Sequence, residues 1–340
     1  IISYTSVGGF SAVATMDLIQ SIIMTVALVV ITVFSINQAG GVDAVVENAK
    51  SMDGYLSFFQ TYDPVAGSAK PYPAINIFSM LAWGLGYFGM PHILVRFMAI
   101  RDEKELTLSR RIAAVWVVIS MTVAVCIGMI GNSVSKAGHI PTLEGSASET
   151  IIVQIANLLS TYGWLAAIVA GLILAGILAA TMSTADSQLL AASSAFSENL
   201  LQDVFGMKLT PKQTMLVARG TVICIAIIAV FLASDPNSSV FAIVSFAWAG
   251  FGATFGPAIL CALFWKRSNR QGILAGLVVG GVMVFVWKFL IAPMGGALAI
   301  YELLPAFLSA LIAIVVVSLL TPKPDASVLA LFDQSKQSAE

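Results

Sequence analysis

Eight runs of mostly apolar residues dominate this chain, at 9–36, 75–99, 112–133, 163–197, 213–233, 239–265, 272–293 and 303–321. A helix that crosses a bilayer needs about 20 such residues, whereas a spanning β-strand needs only about 9–11. The run lengths therefore predict an all-α polytopic membrane protein with eight transmembrane helices. The fourth run is long enough to tilt or to continue beyond the bilayer. Composition agrees, because 10% of the residues are charged against about 25% in a soluble domain. Mean hydropathy is +0.92. A net charge of −1 offers no basic surface for nucleic acid. Cys126, Cys224 and Cys261 each lie in a different apolar run, without CxxC or Cys/His spacing, and read as small core residues. The opening IISYTSVGGF lacks the charged start of a signal peptide and reads as the middle of a longer chain.

Lys and Arg predict the orientation. With the loop 100–111 in the cytoplasm and the helices alternating, thirteen of the 17 basic residues fall on the cytoplasmic side and four outside, the bias expected of membrane proteins. The tail 322–340 is then cytoplasmic, and residues 38–74 and 134–162 form two long outer loops. The first loop carries an amphipathic stretch, VDAVVENAKSMDGYLSFF. In the second, Ile151, Ile152, Ile155, Leu158 and Leu159 recur at helical spacing. Both predict short helices over the outer face, serving as a structural cover or as a lid.

Three stretches break the rules of a lipid-embedded helix. In ATMSTADSQLL, residues 180–190, Ala180, Ser183, Thr184 and Ser187 share one helix face. Small residues of this kind suit close helix packing, and a hydroxyl can satisfy itself on a carbonyl one turn back. Asp186 needs more, because an acid at mid-membrane costs at least about 2.5 kcal/mol. No Lys, Arg or His is expected at its depth. Two readings stand: a hard monovalent cation that wants several oxygen ligands, or a protonated Asp hydrogen-bonded in the core.

The second is WGLGYFGMPHILVRF. Gly84, Gly86, Gly89 and Pro91 weaken a helix at the point where Trp83 and Tyr87, four apart, lie on one face. Close packing explains the glycines alone. A Gly/Pro-interrupted hydrophobic segment is also the sequence sign of a transporter binding site, and large amphipathic rings suit a small solute with a charged end. The third, AWAGFGATFGPAIL at 247–260, repeats the pattern and reads equally as a flexible gating helix or a packing kink. Asp17, near the cytoplasmic end of the first run, reads on its own as a helix-start acid favoured by the helix dipole. His92 and His139 are too scattered for a catalytic or metal constellation, which argues against an enzyme. A proton-translocating subunit stays open through Asp17 and Asp186 alone.

Four long stretches together carry a resemblance: YTSVGGFSAVATMDLIQ, WGLGYFGMPHILVRFMA, ILAATMSTADSQLLAASSA and SFAWAGFGATFGPAILCALFWKRSNRQGILAG. They resemble the sodium:solute symporter family, above all its bacterial proline-transporting members, in order and over almost the whole chain. The resemblance implies a LeuT-type core of two inverted five-helix repeats, of which this chain holds the C-terminal part. It implies sodium and L-proline as co-transported partners, in the inner membrane of a bacterium. Sodium would be held by the Ala180 carbonyl and the Ser183 and Thr184 hydroxyls, with its remaining ligands on a helix that precedes this chain. Trp83, Tyr87 and Pro91 match positions implicated in solute binding, and Asp17 matches an acid on the sodium exit route. Some relatives have a second sodium site at positions matching Asp17, Ser183, Asp186 and Ser187, although they have Ser where this chain has Asp186. Another small solute, such as a different amino acid, a monocarboxylate or pantothenate, is the alternative cargo.

Overall fold

The computed structural model describes residues 1–234 and 239–337, apart from the side chains of Ser3, Ser6, Val7 and Gln337. The end of the expected tail, 338–340, lies outside the described residues. In chain order the helices are α1 (Ile2–Gln38), α2 (Val42–Ser51), α3 (Ala74–Leu81), α4 (Trp83–Gly86), α5 (Pro91–Met98), α6 (Glu105–Lys136) and α7 (Ile151–Ser160). There follow α8 (Trp164–Ser194), α9 (Pro211–Leu232), α10 (Val240–Phe264), α11 (Arg270–Val286), α12 (Leu303–Leu320) and α13 (Ala326–Gln337). π-Helical turns extend α8 through Val204 and α11 through Ile291.

Seven of these helices are long and apolar enough to cross a membrane, and the stretch from α3 to α5 makes an eighth, bent by 46° between Gly89 and Pro91. All eight expected runs are present, and the second is the broken one. Its break has a local cause. Pro91 lacks an N–H and forces the residue before it out of the helical region, and Met90 is accordingly extended, at φ −79° and ψ 112°.

The outer loops depart from expectation in part. The helix expected from Val42 towards Phe59 stops at Ser51, and a two-stranded hairpin, Gln60–Asp63 with Ser68–Pro71, occupies the rest of that loop. Asp63 and Gly67 turn it: the Asp63 carboxylate accepts from the Val65 N–H at 3.0 Å, and Gly67 adopts φ 64°. The second loop holds α7 as its apolar spacing predicts, with Ile155 and Ala156 fully buried.

The chain forms two compact units. One contains α1, α2 and α6 to α9. Its core joins Ala27 and Ile31 of α1, Ile127, Ile130 and Val134 of α6, Ile155 of α7 and Ile173 of α8. α1 and α8 pack closely because Gly176 lacks a side chain; a Cβ there would lie 2.6 Å from the Ala27 Cβ. α1 is not straight. Gly9, at φ 58° and ψ −154°, breaks it in a region that only glycine adopts readily. The expected start of the first run at residue 9 coincides with this kink. Asp17 therefore stands two turns beyond it and is not a helix-start acid, since dipole effects fade within the first turn.

The other unit contains α3 to α5 and α10 to α13. Here α11 offers glycines at every fourth position to its neighbours. A Cβ on Gly272 would lie 1.9 Å from Ser318 Oγ, one on Gly276 2.2 Å from Ile314 Cγ1, and one on Gly280 2.4 Å from the Ala253 carbonyl oxygen. Without a hydrophobic driving force between helices in lipid, such backbone approach supplies the packing. The Ala253 atom met is a backbone carbonyl oxygen, which cannot rotate away as a side chain can. Gly280→Ala is therefore expected to cost about 1–3 kcal/mol of overpacking, read as a lowered thermal midpoint of the full-length protein in detergent. Gly250→Ala, with open space where its Cβ would sit, should leave the midpoint unchanged.

Candidate ion and solute site

The first group of residues lies on α8, within the first unit. Ser183 Oγ donates to the Ala180 carbonyl at 3.0 Å, and Ser187 Oγ donates to the Ser183 carbonyl at 3.1 Å. The first bond settles the Ser183 proton within the helix, and a hydroxyl oxygen that donates can still accept or ligate. Ala180 and Ser183 are half-buried and Thr184 is exposed. The three oxygens thus occupy one face at neighbouring turns.

Asp186 points to a different environment. It is fully buried, and its Oδ2 accepts a hydrogen bond from the Tyr4 hydroxyl at 2.8 Å. Its Oδ1 lies 3.3 Å from Ser187 Oγ. The side chain that answers the acid is therefore a phenol from before the Gly9 kink, with Ser187 beside it; the Ser183 hydroxyl turns instead to Ala180. Asp17, on α1 beyond the kink, is half-buried and within electrostatic range of the same Tyr4 hydroxyl. Two more polar side chains of α1, Thr5 and Gln20, are each 3% exposed. The Thr5 hydroxyl has no hydrogen-bond partner among the described residues, and the Gln20 amide lies beside the Tyr4 hydroxyl. A buried polar group left unpaired costs about 1–3 kcal/mol, so this concentration around α1 and α8 marks a place built for polar contents. Tyr4, Thr5 and Gln20 escaped the sequence reading. The signal available was a tyrosine and a threonine four residues ahead of a Gly-Gly pair, which becomes informative only once Gly9 is known to bend the chain.

The second group lies in the other unit, around the broken span. Trp83 and Tyr87 do not stack on each other as their spacing suggests. Trp83 lies parallel to Phe241 (centroids 5.5 Å apart), to Trp248 (5.4 Å) and to Tyr301 (6.3 Å), while Tyr87 meets Trp248 edge-on at 4.8 Å. Tyr87 is 50% exposed, so part of its ring is accessible. Tyr301 is held at both ends, its N–H donating to Ser79 Oγ at 3.0 Å and its hydroxyl to the Ser245 carbonyl at 2.5 Å. Burial first, then the nearby Glu302 carboxylate, push its phenol well above the ordinary range, so it stays a neutral donor. Pro91 is half-buried just past the break. Two glycines of the third stretch serve packing: Gly252 and Gly256 let α10 approach the broken span and α12, and α10 runs unbroken through Pro257.

Eight apolar spans, one of them broken at glycine and proline, with oxygen-rich polar groups inside apolar helices, have the make-up of a membrane transporter. Residues 1–280 match the sodium:solute symporter family, and the chain belongs to it. Among curated proteins it is similar to the osmoregulated proline transporter OpuE of Bacillus subtilis, at 37% identity over 98% of this chain and 64% of the relative. It is similar also to the high-affinity proline transporter PutP of the same organism, at 37% over 98% and 66%, and to the sodium/proline symporter of Haemophilus influenzae, at 37% over 99% and 65%. The chain thus spans a little under two thirds of the length of these relatives. A solved structure of a Na+-coupled sialic acid symporter, in a substrate-bound outward-open state, shares the fold with a TM-score of 0.69 at 19% identity, over 95% of this chain and 65% of that one.

Proposed function

We propose that the full-length protein couples inward sodium movement to uptake of L-proline by alternating access, and that Ala180, Ser183 and Thr184 supply part of the sodium site. The observation that carries the reading is identity of 37% to proline transporters along 98–99% of the chain. The oxygen stripe of α8 supports it chemically. A monovalent cation needs several oxygen ligands, and Ala180, Ser183 and Thr184 present a carbonyl and two hydroxyls over one turn and a half. In this reading the remaining sodium ligands come from a helix upstream of Ile1. Sodium then bridges α8 to that helix and favours the conformation that accepts solute. Solute binds through Trp83, Tyr87 and Pro91, and its binding shifts the conformational equilibrium of the transport cycle.

Asp17, Asp186 and Ser187 belong, in the same reading, to a second sodium site or to the exit route. The Tyr4 hydroxyl supports this, since it adds a further oxygen beside the Asp186 carboxyl, at 2.8 Å. The protein is a transporter and not an enzyme. It sits in a bacterial inner membrane with residues 38–74 and 134–162 outside and the C-terminal tail in the cytoplasm, the orientation supported by the distribution of Lys and Arg.

The test is uptake of labelled L-proline by proteoliposomes of the full-length protein under an inward sodium gradient. Uptake that collapses when the gradient is dissipated is the expected result. Uptake that persists without sodium and follows a pH gradient would transfer the protein to proton coupling. Competition by unlabelled amino acids, monocarboxylates and pantothenate decides the cargo. A competitor that binds far more tightly than proline overturns the proline assignment while leaving the sodium site in place.

A further inference from the structure

We propose that Trp248 of α10 is the positioning residue for Trp83. It holds ring and backbone of the broken span together, so that solute affinity is set partly from a helix that the span does not include. The inference rests on the solute-binding reading of Trp83 and adds to it a residue with a distinct role.

Three observations meet at Trp248. Its indole N–H donates to the backbone carbonyl of Trp83 at 2.9 Å, while its ring lies parallel to the Trp83 ring at 5.4 Å and 15°. One side chain thus fixes both the main chain and the side chain of the same residue. The carbonyl it reaches lies where α3 ends and the short turn of α4 begins, where regular helical bonding is interrupted and an outside donor is needed most. Phe241 and Trp248 are seven residues apart on α10, which in a helix separates them by roughly 10.5 Å along one face. The Trp83 ring lies parallel to both, with centroids 5.5 and 5.4 Å away.

The approach is also built into the backbone of the broken span. A Cβ on Gly86 would lie 1.9 Å from Trp248 Nε1, and one on Gly89 2.4 Å from the Phe251 carbonyl oxygen. Any side chain at Gly86 would displace the indole. The glycines that weaken this span therefore also admit the residue that holds it. Tyr87 rests edge-on against the same indole, so both aromatic solute candidates take their position from Trp248.

The experiment uses the full-length protein and two readouts. The first needs no solute: two stacked indoles produce an exciton couplet in the far-ultraviolet circular dichroism. Trp248→Phe and Trp83→Phe should each abolish it, and the double variant should lose nothing more. The second is L-proline uptake. Trp248→Phe, which keeps a ring and removes the N–H, should raise the proline half-saturation roughly tenfold, the factor expected for a lost hydrogen bond and a looser stack. The sodium half-saturation should stay within about twofold. In a Trp83→Ala background the same substitution should have no further effect, because Trp248 acts through Trp83.

Gly86→Ala, which leaves Trp248 in place and pushes the indole off the carbonyl, should reproduce the proline effect if Trp248→Phe fails to reach the membrane. An unchanged couplet in Trp248→Phe overturns the proposal, and so do effects that simply add in the double variant. A wild-type protein that shows the couplet but takes up no proline would overturn the proline reading, and the couplet would still decide the clamp.

Discussion

Replacing the Ser183 or the Thr184 hydroxyl by alanine in the full-length protein is expected to raise the half-saturation for sodium about tenfold or more, with a far smaller effect on the half-saturation for proline at saturating sodium. The magnitude follows from what a cation loses. A hydrogen-bond-like contact with a charged partner is worth about 1.5–3 kcal/mol, and every 1.4 kcal/mol is tenfold in affinity. The two positions differ in a way that sharpens the test. Ser183 Oγ is already tied to the Ala180 carbonyl at 3.0 Å, so Ser183→Ala removes a ligand and also frees a carbonyl in the helix. Thr184 is exposed on the helix surface of this chain, and Thr184→Ser should restore most of the wild-type behaviour because it keeps the oxygen. The measurement is initial uptake rate against sodium concentration. A wild-type sodium half-saturation in both alanine variants would remove these hydroxyls from the site and leave them as packing residues.

What could be read from the sequence depended on whether the signal is local. The eight spans were legible because each is a long run of mostly apolar residues, and hydropathy needs no knowledge of neighbours. The broken span was legible too. Gly84, Gly86, Gly89 and Pro91 act on their own backbone, and the 46° bend falls between Gly89 and Pro91. The hairpin at Gln60–Pro71 was not, because its four-residue strands carry no alternation strong enough to distinguish them from the end of an amphipathic helix.

The site residues divide in the same way. Asp186 announced itself as an acid in an apolar helix, but its partner lies 182 residues away, and no periodicity within a helix can relate the two. Trp83 and Tyr87 were correctly placed at the break, yet helical spacing relates them only to each other. The ring that organises them, Trp248, comes from α10, 165 residues from Trp83. The glycines of the third stretch show the converse limit. Spacing marked Gly252 and Gly256 as unusual without distinguishing a flexible helix from a close-packed one, and the deciding fact is the Gly86 Cα 2.6 Å from where a Gly252 Cβ would be.

Trp83→Ala is expected to raise the half-saturation for L-proline by roughly 30-fold or more, the loss associated with truncating an aromatic anchor in a binding site, while the sodium half-saturation shifts no more than about threefold. The stack complicates the expectation in an informative way. Phe241 and Trp248 lie parallel to the half-buried Trp83 ring, so removing it deletes their packing contacts as well as any contact with solute and lowers stability too. Trp83→Phe separates the two effects. It retains the parallel stack at lower area, so it should restore stability before it restores proline affinity. The Tyr87→Phe variant is the companion measurement, since Tyr87 is half exposed and its hydroxyl is free to meet solute without disturbing the stack. If Trp83→Ala raised the sodium and proline half-saturations by the same factor, and Trp83→Phe restored both together, Trp83 would be a packing residue and Tyr87 would remain as the aromatic contact.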